Sequence, residues 1–222
     1  MTWNSGWDDV FRAKEWGKYP PEELVRFVGR AYFGAPDRSA VRFLEIGCGA
    51  GANLLFLAQE GFDATGLDGS AVALDRARQR FAERGLTARF DQGEAMHLPY
   101  DDFSFDCVLD IECIYANTLA DSRRIIAEAH RVVKPGGLFF SKTFMTDMTG
   151  TATGKRLETE ANTFLEMPDG PLNKGYGIIR LTSEEDIPAL YGGFPDVSVD
   201  FVIRSDGGRT KRIGEWVITC RK

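Results

Sequence analysis

Residues 43–53 read FLEIGCGAGAN, an apolar run that ends in a turn with glycines at 47, 49 and 51. Glycine at 47 and 49 permits tight backbone angles, and the missing side chains let a ligand approach the main chain. A helix that opens at such a turn presents unpaired N–H groups and positive potential to a carboxylate or phosphate. About twenty residues on, Asp68 closes a second apolar run, where a carboxylate can accept both hydroxyls of a ribose. Residues 47–52 also satisfy GxGxxA, a pattern of low specificity that dinucleotide sites share. Three features favour a nucleoside without a pyrophosphate: Glu45 before the first glycine, an acid suited to a cationic amino group; Glu94 in GEAMHLPYDDFSFD, suited to an adenine amino group; and KPGG before a later strand.

These residues need elements that bring them together. AVRFLEIG reads as a buried strand, 51–60 as a helix closed by Gly61, and DATGLD as a second strand. SAVALDRARQRFAERG reads as an amphipathic helix with Ser70 as N-cap and Leu74, Ala77 and Phe81 on one face. TARFDQG and FDCVLDIE follow as strands. ADSRRIIAEAHRVVKPGG reads as a helix with Ile126, Ala129 and Val133 inward, terminated by Pro135, Gly136 and Gly137, and LFFSKTF as a fifth strand. Strands alternating with helices imply an α/β fold: a Rossmann-like, doubly wound, mostly parallel seven-stranded sheet. TSEEDIPALYGG predicts a helix capped by Ser183 or Thr182, and VSVDFVIRS and EWVITCRK predict a C-terminal antiparallel hairpin around Gly207-Gly208.

Two segments fall outside this rhythm. Residues 1–39 form an aromatic leader with two short helices, expected to pack on the 40–222 domain as an N-terminal lid. Residues 145–181, rich in Thr and Gly with weak periodicity, read as an inserted loop on the acceptor side. Lys155, Arg156, Lys174 and Arg180 lie in it, cations that favour an anionic or sugar-like partner unless they face solvent.

The 222 residues carry 27 Lys+Arg against 33 Asp+Glu, a net charge of −6 that argues against nucleic acid as a partner. No apolar run suits a membrane span, and 43% hydrophobic with 27% charged residues is ordinary globular composition. Cys48, Cys107, Cys113 and Cys220 form no CxxC pair and read as reduced thiols of a cytoplasmic protein. With His97 and His130 the only histidines, no metal-ligand spacing appears and no metal is expected.

LEIGCGAG, LDGS, GEAMHLPYDDFSFD and HRVVKPGG, in this order over residues 40–144, resemble the motifs of class I S-adenosylmethionine-dependent methyltransferases. The likeness is nearest to the small-molecule group that includes quinone-biosynthesis and sterol methyltransferases. It implies S-adenosyl-L-methionine as cofactor, with the methionine end held by Glu45, Gly47 and Gly49 and the ribose by Asp68. By the same resemblance Gly69, Glu94, Ala95 and Met96 frame the adenine, and Asp110 and Ile111 lie beside the sulfonium. Cys48, Asn53 and Ser70 join the expected cofactor set, with Cys48 as a small filler rather than a reactive thiol, and Trp16 and Tyr19 close over it from the leader. Glu112 is the first candidate for a catalytic base and His97 the second; Tyr115 and Asn117 are candidates for substrate contact. His130 reads as structural. The implied activity is methyl transfer to a small-molecule acceptor by in-line displacement. The alternatives are a binding or regulatory protein of the same fold without turnover, and an NAD-dependent oxidoreductase, for which no Tyr-x-x-x-Lys pair is present.

Overall fold

In the computed structural model, residues 4–15, 17–172 and 177–222 are described. The first strand, β1 (Arg42–Ile46), lies between β2 (Asp63–Asp68) and β4 (Phe105–Ile111), parallel to both. Helices cover both faces of this sheet, so β1 is buried from Phe43 to Ile46 without alternation. β3 (Arg89–Gln92) continues the parallel set at one edge and β5 (Val133–Phe144) at the other. The final hairpin, β9 (Asp196–Asp206) and β10 (Lys211–Arg221), adds antiparallel through β10, giving a seven-stranded sheet of order β3-β2-β1-β4-β5-β10-β9.

The leader forms α1 (Gly6–Ala13) and α2 (Glu22–Tyr32). Leu24 and Val28 of α2 are fully buried, and Phe27 stacks on Phe140 at 4.5 Å between ring centroids. Burial of each such aliphatic side chain stabilises by about 1.5–3 kcal/mol, which is what docks this helix on the sheet. α3 (Ala52–Gln59) opens from the glycine turn. In α4 (Ala71–Ala82), Ser70 Oγ accepts the Ala73 N–H, and Leu74, Ala77 and Phe81 are buried, as the spacing requires. α5 (Leu119–Val132) packs with α6 (Asp186–Tyr191) on the other face. Among the described residues no helix is long and apolar enough to cross a membrane.

Three local expectations are corrected. KPGG does not end α5: the helix stops at Val132, and the sequence Lys134–Gly137 bulges within β5, whose pairing with β4 jumps from Phe105↔Val133 to Cys107↔Leu138. The glycines are needed there because Gly136 has φ 79° and a Cβ on Gly137 would lie 2.8 Å from the Asp106 carbonyl oxygen. The 145–181 excursion is not one long loop: β6 (Lys155–Leu157), β7 (Glu160–Glu166) and β8 (Ile179–Arg180) form a second sheet of order β6-β7-β8. Strands this short give little periodicity; Phe164 and Ile179 hold them on Phe144, Met148 and Ile213. Finally, α6 starts at Asp186 with neither Ser183 nor Thr182 as its cap. Thr182 still belongs to extended backbone, its N–H donating to the Phe144 carbonyl, and the Ser183 N–H donates to Asp186 Oδ2 at 3.0 Å.

Candidate functional site

The carboxyl ends of β1, β2 and β4 open into a cavity of about 540 Å³. Gly47 and Gly49 sit at its floor with φ of 67° and 52°, the left-handed region that side chains disfavour. A Cβ on Gly47 would collide with the Cys113 side chain, and one on Gly49 would come within 3.2 Å of the Phe11 ring. The turn is therefore bare because both backbone and space demand it.

Asp68, at the end of β2, is 6% exposed. Its Oδ2 accepts the Gly49 N–H and its Oδ1 accepts the Ser70 N–H, each at 2.8 Å. The acid thus fastens the glycine turn to the start of α4. Burial raises its pKa while these main-chain donors oppose the rise. Main-chain donors do not exhaust the four acceptor positions of a carboxylate, so capacity remains for a ligand.

Glu45 is 1% exposed and also lines the cavity. Asn53 Nδ2 donates to its Oε1 at 2.6 Å, whereas Oε2 is buried with no hydrogen-bond partner among the described residues. Burial pushes this carboxyl up to about 8, Asn53 opposes, and Asp68 and Asp110 add to the rise. A buried carboxylate oxygen left unpaired beside a cavity is suited to a cationic donor.

Of the other expected site residues, Cys48, Gly69, Glu94, Ala95, Met96, Ile111, Tyr115, Asn117 and Tyr19 also line the cavity. Asp110 and Ser70 do not: they stand behind it. Asp110 is fully buried, its Oδ1 accepting the N–H groups of Cys113 and Ile114 at 3.0 Å and its Oδ2 the Ser141 hydroxyl at 2.6 Å. It shapes the turn after β4 instead of facing a ligand. Ser70 Oγ caps α4 and donates to Asp8, which ties α1 to the site. His97 is exposed and outside the cavity lining, so the structure does not bring it to the candidate catalytic position. His130 meets Phe194 edge-on, a packing role. Trp16 and Lys174 lie outside the described residues.

The leader roofs the cavity through Trp7 and Phe11. Arg76 holds it to α4 by donating to the carbonyls of Lys14 and Arg12, at 2.8 and 3.3 Å. Of the excursion's cations, Lys155 and Arg156 face solvent, the alternative the sequence favoured, and Arg180 is buried away from the cavity, its Nε 3.1 Å from Ser122 Oγ and both Nη atoms with no hydrogen-bond partner among the described residues.

Sequence reasoning singled out Glu112 but missed the charged partners around it, Lys142, Glu215 and Arg204. Glu112, just past β4, pairs through Oε1 with Lys142 Nζ at 3.0 Å; Lys142 Nζ also pairs with Glu215, and Arg204 Nε lies 3.6 Å from Glu215 Oε2. All four line the cavity. The available signal was a lysine inside LFFSKTF and an acid opening EWVITC, charges embedded in otherwise apolar strands. Among the described residues, no cluster of three or more His, Cys, Asp or Glu is placed to hold a metal ion.

Residues 43–137 match the methyltransferase domain family. The chain is 38% identical over 98 residues to an uncharacterized methyltransferase of Synechocystis, covering 44% of each protein. It is 34% identical over 118 residues to norajmaline N-methyltransferase of Rauvolfia serpentina, covering 52% of this chain and 39% of that enzyme. The matches thus span less than half the length of these curated relatives. Among solved structures, a SAM-dependent methyltransferase of Methanosarcina mazei superimposes with a TM-score of 0.67 at 25% identity, over 82% of this chain and 92% of that one.

Proposed function

We propose that this chain, a class I S-adenosylmethionine-dependent methyltransferase by its matched domain and its fold, transfers the cofactor's methyl group to a small-molecule acceptor. The observation that carries the reading is the convergence of three features in one cavity: the bare Gly47–Gly49 turn, the unpartnered Glu45 Oε2 and the Asp68 carboxylate. The residues fit the cofactor's parts. Glu45 would hold the ammonium of its amino-acid end, Asp68 the ribose hydroxyls, and the Glu94–Met96 loop the adenine. Because fold alone does not fix function, this chemistry of the donor set is the stronger argument. The small-molecule acceptor is supported by the name of the Rauvolfia relative and by the motif likeness to quinone- and sterol-type enzymes.

When bound, S-adenosylmethionine supplies an electrophilic methyl on a sulfonium, so the protein's tasks are alignment, exclusion of water and proton management. Trp7 and Phe11 of α1 exclude water from above. Cys113 and Ile114, fixed by the buried Asp110, hold the turn that carries Tyr115 and Asn117 at the acceptor end. Glu112 is the carboxylate on that side placed to take a proton from the acceptor.

Calorimetry with S-adenosylmethionine, S-adenosylhomocysteine and NAD tests the reading. The first two should bind to wild type, NAD should not, and Asp68→Ala should abolish binding of both. Binding of NAD alone would replace methyl transfer with the oxidoreductase reading.

A further inference from the structure

The charged wall opposite the glycine turn is built more deliberately than a surface ion pair. The Glu112 backbone adopts φ 58° and its N–H donates to the Lys142 carbonyl at 2.9 Å, which aims the side chain back across β5. The Lys142 side chain is 5% exposed and that of Glu215 2%, whereas that of Glu112 is 36% exposed, toward the cavity. A lysine is rarely buried unless paired, and here two carboxylates share it, one from the turn after β4 and one from β10. Arg204, 54% exposed, completes the set from β9.

We propose that Glu112, with Lys142 and Glu215 as positioning residues, is the proton-accepting centre of the acceptor site, and that the acceptor is a neutral molecule methylated on an ionisable hydroxyl. This rests on the methyl-transfer reading and deepens it. With Glu112 and Glu215 ionised against Lys142 and Arg204, the charges facing this part of the cavity sum to zero. A charged acceptor group would find no counter-ion there and would pay for its desolvation. A neutral hydroxyl needs something else, a base to take its proton. The balance closes on this set. The hydroxyl proton passes to the Glu112 carboxylate, the O–H electron pair forms the new O–CH₃ bond, and the pair of the broken S–CH₃ bond stays on sulfur. One unit of positive charge leaves the sulfur and one proton appears on Glu112.

The electrostatics agree with this division of labour. Burial raises the proton affinity of Glu112 and Lys142 opposes it, but the Glu215 charge adds to the rise, so the carboxyl lies above its ordinary range. Glu215 is the reverse: burial raises it, yet Lys142 and Arg204 hold it low. One acid of the pair is thus kept ionised while the other is poised to take a proton.

The experiment is a carboxyl-carbon NMR titration of ¹³C-glutamate-labelled, ligand-free protein, with Glu112 assigned by its loss in Glu112→Gln. In Glu215→Gln the Glu112 midpoint should fall by about one pH unit, a tenfold loss of proton affinity. In Lys142→Met it should rise by a similar amount. If Lys142→Met does not fold, Glu215→Gln, which keeps the shape and removes a charge, decides alone. An unchanged midpoint in Glu215→Gln overturns the centre. Incubation of wild type with methyl-labelled S-adenosylmethionine and a metabolite extract reads the acceptor class. Label recovered as an ether supports the proposal; label on nitrogen, sulfur, carbon or a carboxylate overturns it. Calorimetry with S-adenosylhomocysteine separates the two readings. Binding with an unmoved Glu112 sinks only the proton centre, whereas no binding by folded wild type sinks methyl transfer itself.

Discussion

Replacing Glu45 with Gln should uncouple cofactor binding from pH. In the ligand-free protein the Glu45 carboxyl is pushed up to about 8, chiefly by burial, with its Oε2 unpartnered. At pH 7 it is therefore about nine-tenths protonated, and ionising it costs about 1.4 kcal/mol. An arriving ammonium supplies the missing counter-charge, so the complex holds Glu45 ionised. Below pH 8 binding must release a proton, nearly one per ligand at pH 7, and affinity rises up to about tenfold per pH unit until it levels off near 8. A charge-assisted hydrogen bond contributes about 1.5–3 kcal/mol. Glu45→Gln should then bind about 10–150-fold more weakly at pH 8, where wild type pays no ionisation cost. Near pH 6.5 the two proteins should converge, because the cost of about 2 kcal/mol offsets the gain. The assay is calorimetry with S-adenosylhomocysteine in buffers of different ionisation enthalpy, from pH 6.5 to 8. Wild-type binding without proton release, together with a Gln variant of unchanged affinity at pH 8, would refute the assignment of Glu45 to the ammonium.

Three further outcomes are expected. The same carboxyl makes the ligand-free protein less stable as pH rises: its folded pKa lies above the unfolded value of 4.5, so its contribution is full below 4.5 and is lost up to about 8. Melting temperature should decline across that window more steeply in wild type than in Glu45→Gln. Asp68→Ala leaves the buried Gly49 and Ser70 N–H groups without acceptors and should lower stability by about 2–4 kcal/mol in denaturant melts, beyond its loss of cofactor binding. Arg180→Met should lower the melting temperature, because the guanidinium is the positive charge that holds the buried Asp110 carboxyl down and its Nε donates to Ser122 Oγ.

The sheet was legible because β1, β2 and β4 are short apolar runs punctuated by glycine, and the helices between them carry clear caps and stripes. The glycine turn and Asp68 were legible for a related reason: their residue types are forced by backbone angle and close approach. The excursion was not, since strands of three, seven and two residues leave no readable period and owe their stability to Phe144 and Ile213 far away in sequence. The Glu112–Lys142–Glu215 group is a tertiary fact of the same kind. Its members come from the end of β4, from β5 and from β10, and only the sheet order sets them side by side. Asp110 shows the converse error: it has the position of a ligand-facing acid, but two main-chain N–H groups and Ser141 occupy its carboxylate. His97 likewise follows three cavity residues yet points its ring at solvent, because Met96 and Leu98 on either side are the ones buried.

The central claim is that a sulfonium nucleoside lies over the tips of the first two strands. A crystal structure of the chain grown with S-adenosylhomocysteine tests it most directly. The account predicts density in the cavity with both ribose hydroxyls on the Asp68 carboxylate and the amino group on Glu45. Density at another place, or a reversed ligand with its adenine at Glu45, would contradict it.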